Sequence, residues 1–131
     1  MLERDDLTQK LRGYLHRSHE YLRNAYSSID QGELEKGGEF LWGSMAQAIK
    51  AVAASKEIEL RTHRDVWNYA RALSMELGDQ DLFHAFRDAN YLHGNFYEAG
   101  LALDVVLDYG ERIRHAVGKL LRLIPAEALA Q

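Results

Sequence analysis

The sequence contains no cysteine. Disulfides, thiolate metal sites and cysteine nucleophiles are excluded, and a reducing compartment is consistent with the chain. Proline occurs once, at Pro125, so ring geometry interrupts no helix upstream of it. No uncharged stretch nears the roughly 18 residues that a membrane span requires. The longest, such as residues 40–49, are short and helically patterned. The opening Met1-Leu-Glu-Arg-Asp-Asp is charged and lacks the apolar core of a signal peptide. A cytoplasmic protein without a membrane anchor is the expectation.

Basic charge is also scarce. Lys and Arg number 16 against 20 Asp and Glu, for a net charge of −4. Sequence-independent nucleic-acid binders carry a basic surface, so the balance argues against tight passive RNA or DNA binding. It leaves room for an enzyme that meets RNA at one small site. Phosphate-cradling glycine loops, a dinucleotide glycine fingerprint and a nucleophile elbow are all missing.

What is present is helical periodicity. The 131 residues suffice for one domain with one core, and 47% hydrophobic with 27% charged residues is an ordinary globular composition. No period-2 strand pattern stands out, and five helices are expected. The first spans about Arg4 to Ile29, with Leu7, Leu11, Tyr14, Leu15, Tyr21, Leu22, Ala25 and Ile29 in its apolar stripe. After Gln31-Gly32 the second runs from Glu33 to Ser55, with Leu34, Leu41, Trp42, Met45, Ile49 and Val52 as its stripe. Gly37, Gly38 and Gly43 lie inside it and are best explained by close approach of a neighbouring helix, since each costs about 1 kcal/mol in helix propensity. Helices 1 and 2 should form an antiparallel hairpin.

Lys56 to Arg61 reads as a connection, and Thr62-His63-Arg64-Asp65 as a capping box opening a third helix that ends near Leu77. Gly78-Asp79 is a stop followed by a new cap. A fourth helix is expected from Gln80 to about Tyr97, with Leu82, Ala85, Phe86, Ala89, Leu92 and Phe96 on its apolar face. Gly100 breaks the pattern. A fifth helix begins near Asp104, carries Val105, Tyr109, Ile113, Val117, Leu120 and Ile124, and stops at Pro125, leaving a tail expected to fray. The reading is a single all-α antiparallel bundle over residues 1–131, with its core at about 4–124.

The segment richest in chemistry is Arg87-Asp88-Ala89-Asn90-Tyr91-Leu92-His93, followed by Gly94-Asn95-Phe96-Tyr97-Glu98. Metal-free RNA cleavage needs a base for the 2′-hydroxyl proton, an acid for the leaving 5′-oxygen and a cation for the phosphorane. An imidazole with an ordinary pKa of about 6.5 suits the proton work, and a planar, permanently charged guanidinium suits the phosphate. Arg87 and His93 are a minimal set of that kind. Six residues of ideal helix leave their side chains about 120° apart. Convergence would need a long Arg reach, a break near Gly94 or a partner subunit. The alternative is a solvated Arg87 beside Asp88 or Glu98, with His93 hydrogen-bonded to Asn90 or a backbone carbonyl; Asn90 and Tyr97 have the helical spacing to meet His93.

An arginine followed by a polar residue and a histidine six positions on, in a helical bundle, resembles the motif of HEPN domains. Leu92-His93-Gly94-Asn95-Phe96-Tyr97-Glu98 resembles a segment of the archaeal PaREP-type helical family, itself grouped with HEPN domains. The run from Gly37 to Ala51, with its Trp42-Gly43 and Ala48-Ile49-Lys50, is similar to that family's second helix. The resemblance covers about residues 20 to 122. It implies a HEPN-like bundle in which Arg87 binds the scissile phosphate and His93 transfers the proton. Asp88 matches the polar position after the arginine, and Asn95, Tyr97 and Glu98 match the family segment. It also implies a homodimer with two motifs facing one cleft.

Other candidates carry less. His16, His19 and Glu20 share a helix face and are metal-ligand types, yet no further ligand is evident and Arg17 and Arg23 favour a solvated face. Arg112, Arg114, His115, Lys119 and Arg122 follow Asp104, Asp108 and Glu111, a distribution that matches a helix dipole. No metal or cofactor is expected. Two functions fit: a metal-independent endoribonuclease using Arg87 and His93, or a non-catalytic dimeric interaction module, for example the partner of a nucleotidyltransferase.

Overall fold

A computed structural model describes residues 2–95 and 100–129, with the backbone alone for 2–5. Helix α1 spans Leu2–Asp30, α2 Leu34–Ser55, α3 His63–Leu77, α4 Gln80–Gly94 and α5 Leu103–Arg122. The described residues contain no strand, so the protein is an all-α bundle.

The α1–α2 hairpin is the most intimate pair. Its antiparallel course follows from contacts that step in opposite directions: Ile29 against Gly37, Tyr21 against Gly43, Ser18 against Ser44. A Cβ on Gly37 would lie 2.7 Å from Ile29 Cγ1, and one on Gly43 2.9 Å from Tyr21 Cδ2. These two glycines therefore buy close helix approach at the cost of helix propensity. Between them and the far end, Ser18 Oγ donates to the Ser44 carbonyl at 3.0 Å and Ser44 Oγ donates to the Ser18 carbonyl at 2.8 Å. Both serines are buried, and this reciprocal pair satisfies their hydroxyls.

Helices α4 and α5 run antiparallel, tied by Lys119 Nζ on Asp79 Oδ2 at 2.6 Å, Arg112 Nε on Asp88 Oδ2 at 2.7 Å and Tyr91 edge-on to Tyr109. Phe86, Leu41, Met45, Ile49, Leu92, Ile113 and Leu120 fill the shared core. Tyr26 reaches Glu111 at 2.9 Å and links α1 to α5; burial, with Glu111 beside it, pushes its hydroxyl up to about 12.

Helix ends follow the local chemistry. Gly78 closes α3 in the left-handed region, φ 64°, and the Asp79 carboxylate accepts the Leu82 amide at 3.1 Å to open α4. At the end of α2 the left-handed position is instead filled by Glu57, φ 62°. Helix α4 ends at Gly94 rather than Tyr97, because Asn95 takes the C-cap and donates its side-chain amide to the Tyr91 carbonyl at 2.9 Å. Residues 96–97 lie outside the described residues. Helix α5 stops at Arg122, short of Ile124. After Pro125, residues 126–128 form a turn of 3-10 helix, Arg12 donates to the Leu129 carbonyl at 2.7 Å, and Leu129 packs beside Leu11.

Candidate functional site

Three helices contribute to one cluster at the margin of the core. Helix α2 supplies Glu39 and Trp42, one turn apart beside the buried Gly38 and Leu41. The first residue of α3 is His63. Helix α4 supplies Asn90 and His93, also one turn apart, flanking the buried Ala89 and Leu92. In each helix the cluster residues sit next to the apolar stripe, so burying that stripe brings them together.

His93 Nδ1 lies 2.8 Å from Glu39 Oε1 and 3.0 Å from Oε2. Both side chains keep more than a third of their surface, 38% and 35%, so the pair is wet and reachable. A carboxylate at Nδ1 accepts the proton there, which fixes the ring's tautomer and leaves Nε2 of the neutral ring bare. The His93 ring stacks on Trp42 with centroids 4.9 Å apart, and His63 stacks on the same indole at 4.9 Å. The two imidazole centroids are 6.0 Å apart, with their planes 23° from parallel. Trp42 is itself braced by Phe86 at 5.7 Å.

His63 is fixed by its own helix end. Thr62 Oγ1 accepts the Asp65 amide at 3.0 Å, and Asp65 Oδ2 accepts the Thr62 amide at 3.1 Å, completing the expected capping box. The Arg61 amide also donates to Asp65 Oδ2, at 2.9 Å; this bond, with that of Thr62, holds the Asp65 carboxyl below the usual carboxylate range. His63 Nε2–H then donates to Asn90 Oδ1 at 3.1 Å. An open depression lined by His63, Arg64, Trp67 and Asn68 adjoins this edge of the cluster.

The residues singled out in the sequence divide among several roles. His93 is in the cluster, but its partner is Glu39 and not Asn90 or a backbone carbonyl. Asn90 is in the cluster through His63. Arg87 is exposed and makes no hydrogen bond or ion pair with the described residues. Because α4 is unbroken from Gln80 to Gly94, Arg87 and His93 keep their angular separation of about 120°. Asp88 does not pair with Arg87. It is held by Arg112, whose guanidinium also takes Asp108 at 2.9 Å and covers the Tyr109 ring at 5.1 Å. Asn95 caps α4, while Tyr97 and Glu98 lie outside the described residues. His16 and His19 are exposed, Glu20 pairs with Arg23, and no group of three potential metal ligands occurs among the described residues.

The sequence reading missed Glu39 and His63 as site residues and placed Trp42 in the apolar stripe and family-like run of α2, not in a site. Glu39 carried one signal: an acidic residue beside the buried face of α2, three before a tryptophan. His63 carried only its adjacency to a cap.

No curated protein matches the chain. The model of the archaeal PaREP1/PaREP8 family matches residues 13–117, a span that includes Glu39, Trp42, His63, Arg87, Asn90 and His93. The match covers most of the bundle and all of the cluster, and the chain belongs to the archaeal PaREP1/PaREP8 family.

Proposed function

We propose that this protein is a HEPN-like ribonuclease that cleaves RNA without a metal ion, with His93 as the base. The observation that carries the reading is the Glu39–His93 pair, 2.8 Å apart on a half-exposed rim. Glu39 orients the ring and fixes its tautomer, as a carboxylate does behind a catalytic histidine. Nε2 of His93 takes the 2′-hydroxyl proton, and the freed O2′ attacks phosphorus. Arg87, exposed one turn before Asn90 on the same helix, contacts the phosphodiester backbone of the bound strand. Net acidity confines RNA contact to this locality and predicts weak binding away from it.

Cleavage of end-labelled structured RNA in EDTA tests the reading. The expected result is cutting by the wild type that leaves cyclic phosphate ends and is abolished in His93→Ala. A folded wild type that cuts nothing overturns it.

A second reading is favoured by Leu103 and Leu107, exposed one turn apart on α5. In that reading the bundle is a non-catalytic module, a homodimer or the partner of a nucleotidyltransferase. Light scattering of the wild type beside Leu107→Glu reads it directly, because a dimer built on this strip dissociates in the variant.

A further inference from the structure

We propose that His63 is the second catalytic histidine, the acid that protonates the leaving 5′-oxygen, so that one chain holds both proton-transfer groups. The inference rests on the ribonuclease reading and adds its missing half. A cation and a base do not complete phosphodiester transesterification, because the departing alkoxide must be protonated. A second titrating side chain is therefore required, and the structure brings one imidazole from α3 within 6.0 Å of His93.

The two rings are anchored through different nitrogens. His93 is held at Nδ1 by a carboxylate, and His63 at Nε2 by the neutral amide oxygen of Asn90. Nε2 of His93 and Nδ1 of His63 have no hydrogen-bond partner among the described residues. The Glu39 carboxylate fixes the proton of the neutral His93 ring on Nδ1 and leaves Nε2 bare, the tautomer that can take a proton. A protonated His63 donates Nε2–H to Asn90 and keeps Nδ1–H for the substrate. Asn90 thus acts as a positioning residue for the acid, as Glu39 does for the base.

The balance of the step is complete without a co-reactant. The O2′ proton passes to His93 Nε2 and the O2′–P bond forms. The P–O5′ bond breaks, and O5′ receives the proton from His63 Nδ1. The products are a 2′,3′-cyclic phosphate and a free 5′-hydroxyl. His93 leaves the cycle protonated and His63 neutral, and water restores both. The depression beside His63 suits the leaving nucleotide: Arg64 lines it, is exposed and makes no ion pair with the described residues, which leaves its charge available to a phosphate.

The test is an oligoribonucleotide with a 5′-bridging sulfur at a mapped cleavage site, compared with the all-oxygen strand. A thiolate leaves without a proton, so an acid becomes dispensable and a base does not. His63→Ala should lose about 100-fold or more on the oxygen substrate and regain near wild-type rate on the sulfur substrate. His93→Ala should be inactive on both. His63 is exposed at the start of a helix, and circular dichroism confirms that the variant folds. Equal losses on both substrates, or no loss on either, overturn the acid role while the ribonuclease reading stands. A wild type that cuts neither strand overturns both.

Discussion

Glu39 of α2 and His93 of α4, 54 residues apart in the chain, meet with both carboxylate oxygens within 3.0 Å of Nδ1. A histidine at the margin of a helical core commonly satisfies itself on a nearby carbonyl. Here it faces a charged group on another helix and stays partly open to solvent. That combination suits proton transfer, because the ring is fixed in orientation while its other nitrogen has no hydrogen-bond partner among the described residues.

Glu39→Gln removes the charge but keeps the shape. Its effect should fall on catalysis and not on folding, with RNA cleavage reduced about 10- to 100-fold. The thermal midpoint should shift little, since a pair this exposed contributes at most about 1 kcal/mol. Cleavage rates and a melting curve on the same preparation check it. An equally large loss in both would recast Glu39 as a structural residue.

Gly37→Ala should destabilise the hairpin although alanine is the better helix former. The new methyl would meet the buried Ile29 at 2.7 Å, and overpacking of this kind costs about 1–3 kcal/mol against a propensity gain near 1. Gly94→Ala is the control, because none of the described residues lies within 4 Å of its Cβ position. Urea unfolding should separate the two in opposite directions.

Asp79 makes part of the stability pH-dependent. The Lys119 ammonium, followed by the Leu82 amide, holds its carboxyl below the usual range. The folded value is thus depressed relative to an unfolded value of about 3.9. Its contribution is fully present above that value and is lost as pH falls through the folded one. Asp79→Asn keeps an N-cap acceptor and loses the charge. The variant should be less stable than the wild type at pH 7, and the gap should narrow below about pH 4. Denaturant titrations at both pH values measure it.

Thr62→Ala removes one arm of the capping box and should cost about 1 kcal/mol of stability. Because the same box sets the first turn of α3, it should also loosen His63 against Trp42. Quenching of tryptophan fluorescence by the adjacent imidazoles should weaken in the variant at temperatures where it remains folded. Unchanged quenching would mean that Trp42 and Asn90 hold His63 without the cap.

Local chemistry made much of the fold legible. A chain with no proline before Pro125, and with apolar residues at three- and four-residue spacing, had few choices besides helices. Thr62 and Asp65 stated where α3 begins, and Gly78 and Asp79 where it ends. Gly37 and Gly43 announced close packing without naming Ile29 and Tyr21 as the neighbours. The left-handed Glu57 was not legible, since nothing in its side chain marks it for φ 62°.

The sequence by itself determined an all-α chain, the caps at Thr62 and at Gly78–Asp79, and its family, because those follow from patterns spanning a few turns of backbone. Only the tertiary structure decided which polar residues face one another. Glu39 with His93, His63 with Asn90 and Arg112 with Asp88 are separated by 54, 27 and 24 residues. Such pairs depend on how far each helix is rotated when its stripe is buried, and helical periodicity fixes a face without naming what will lie across from it.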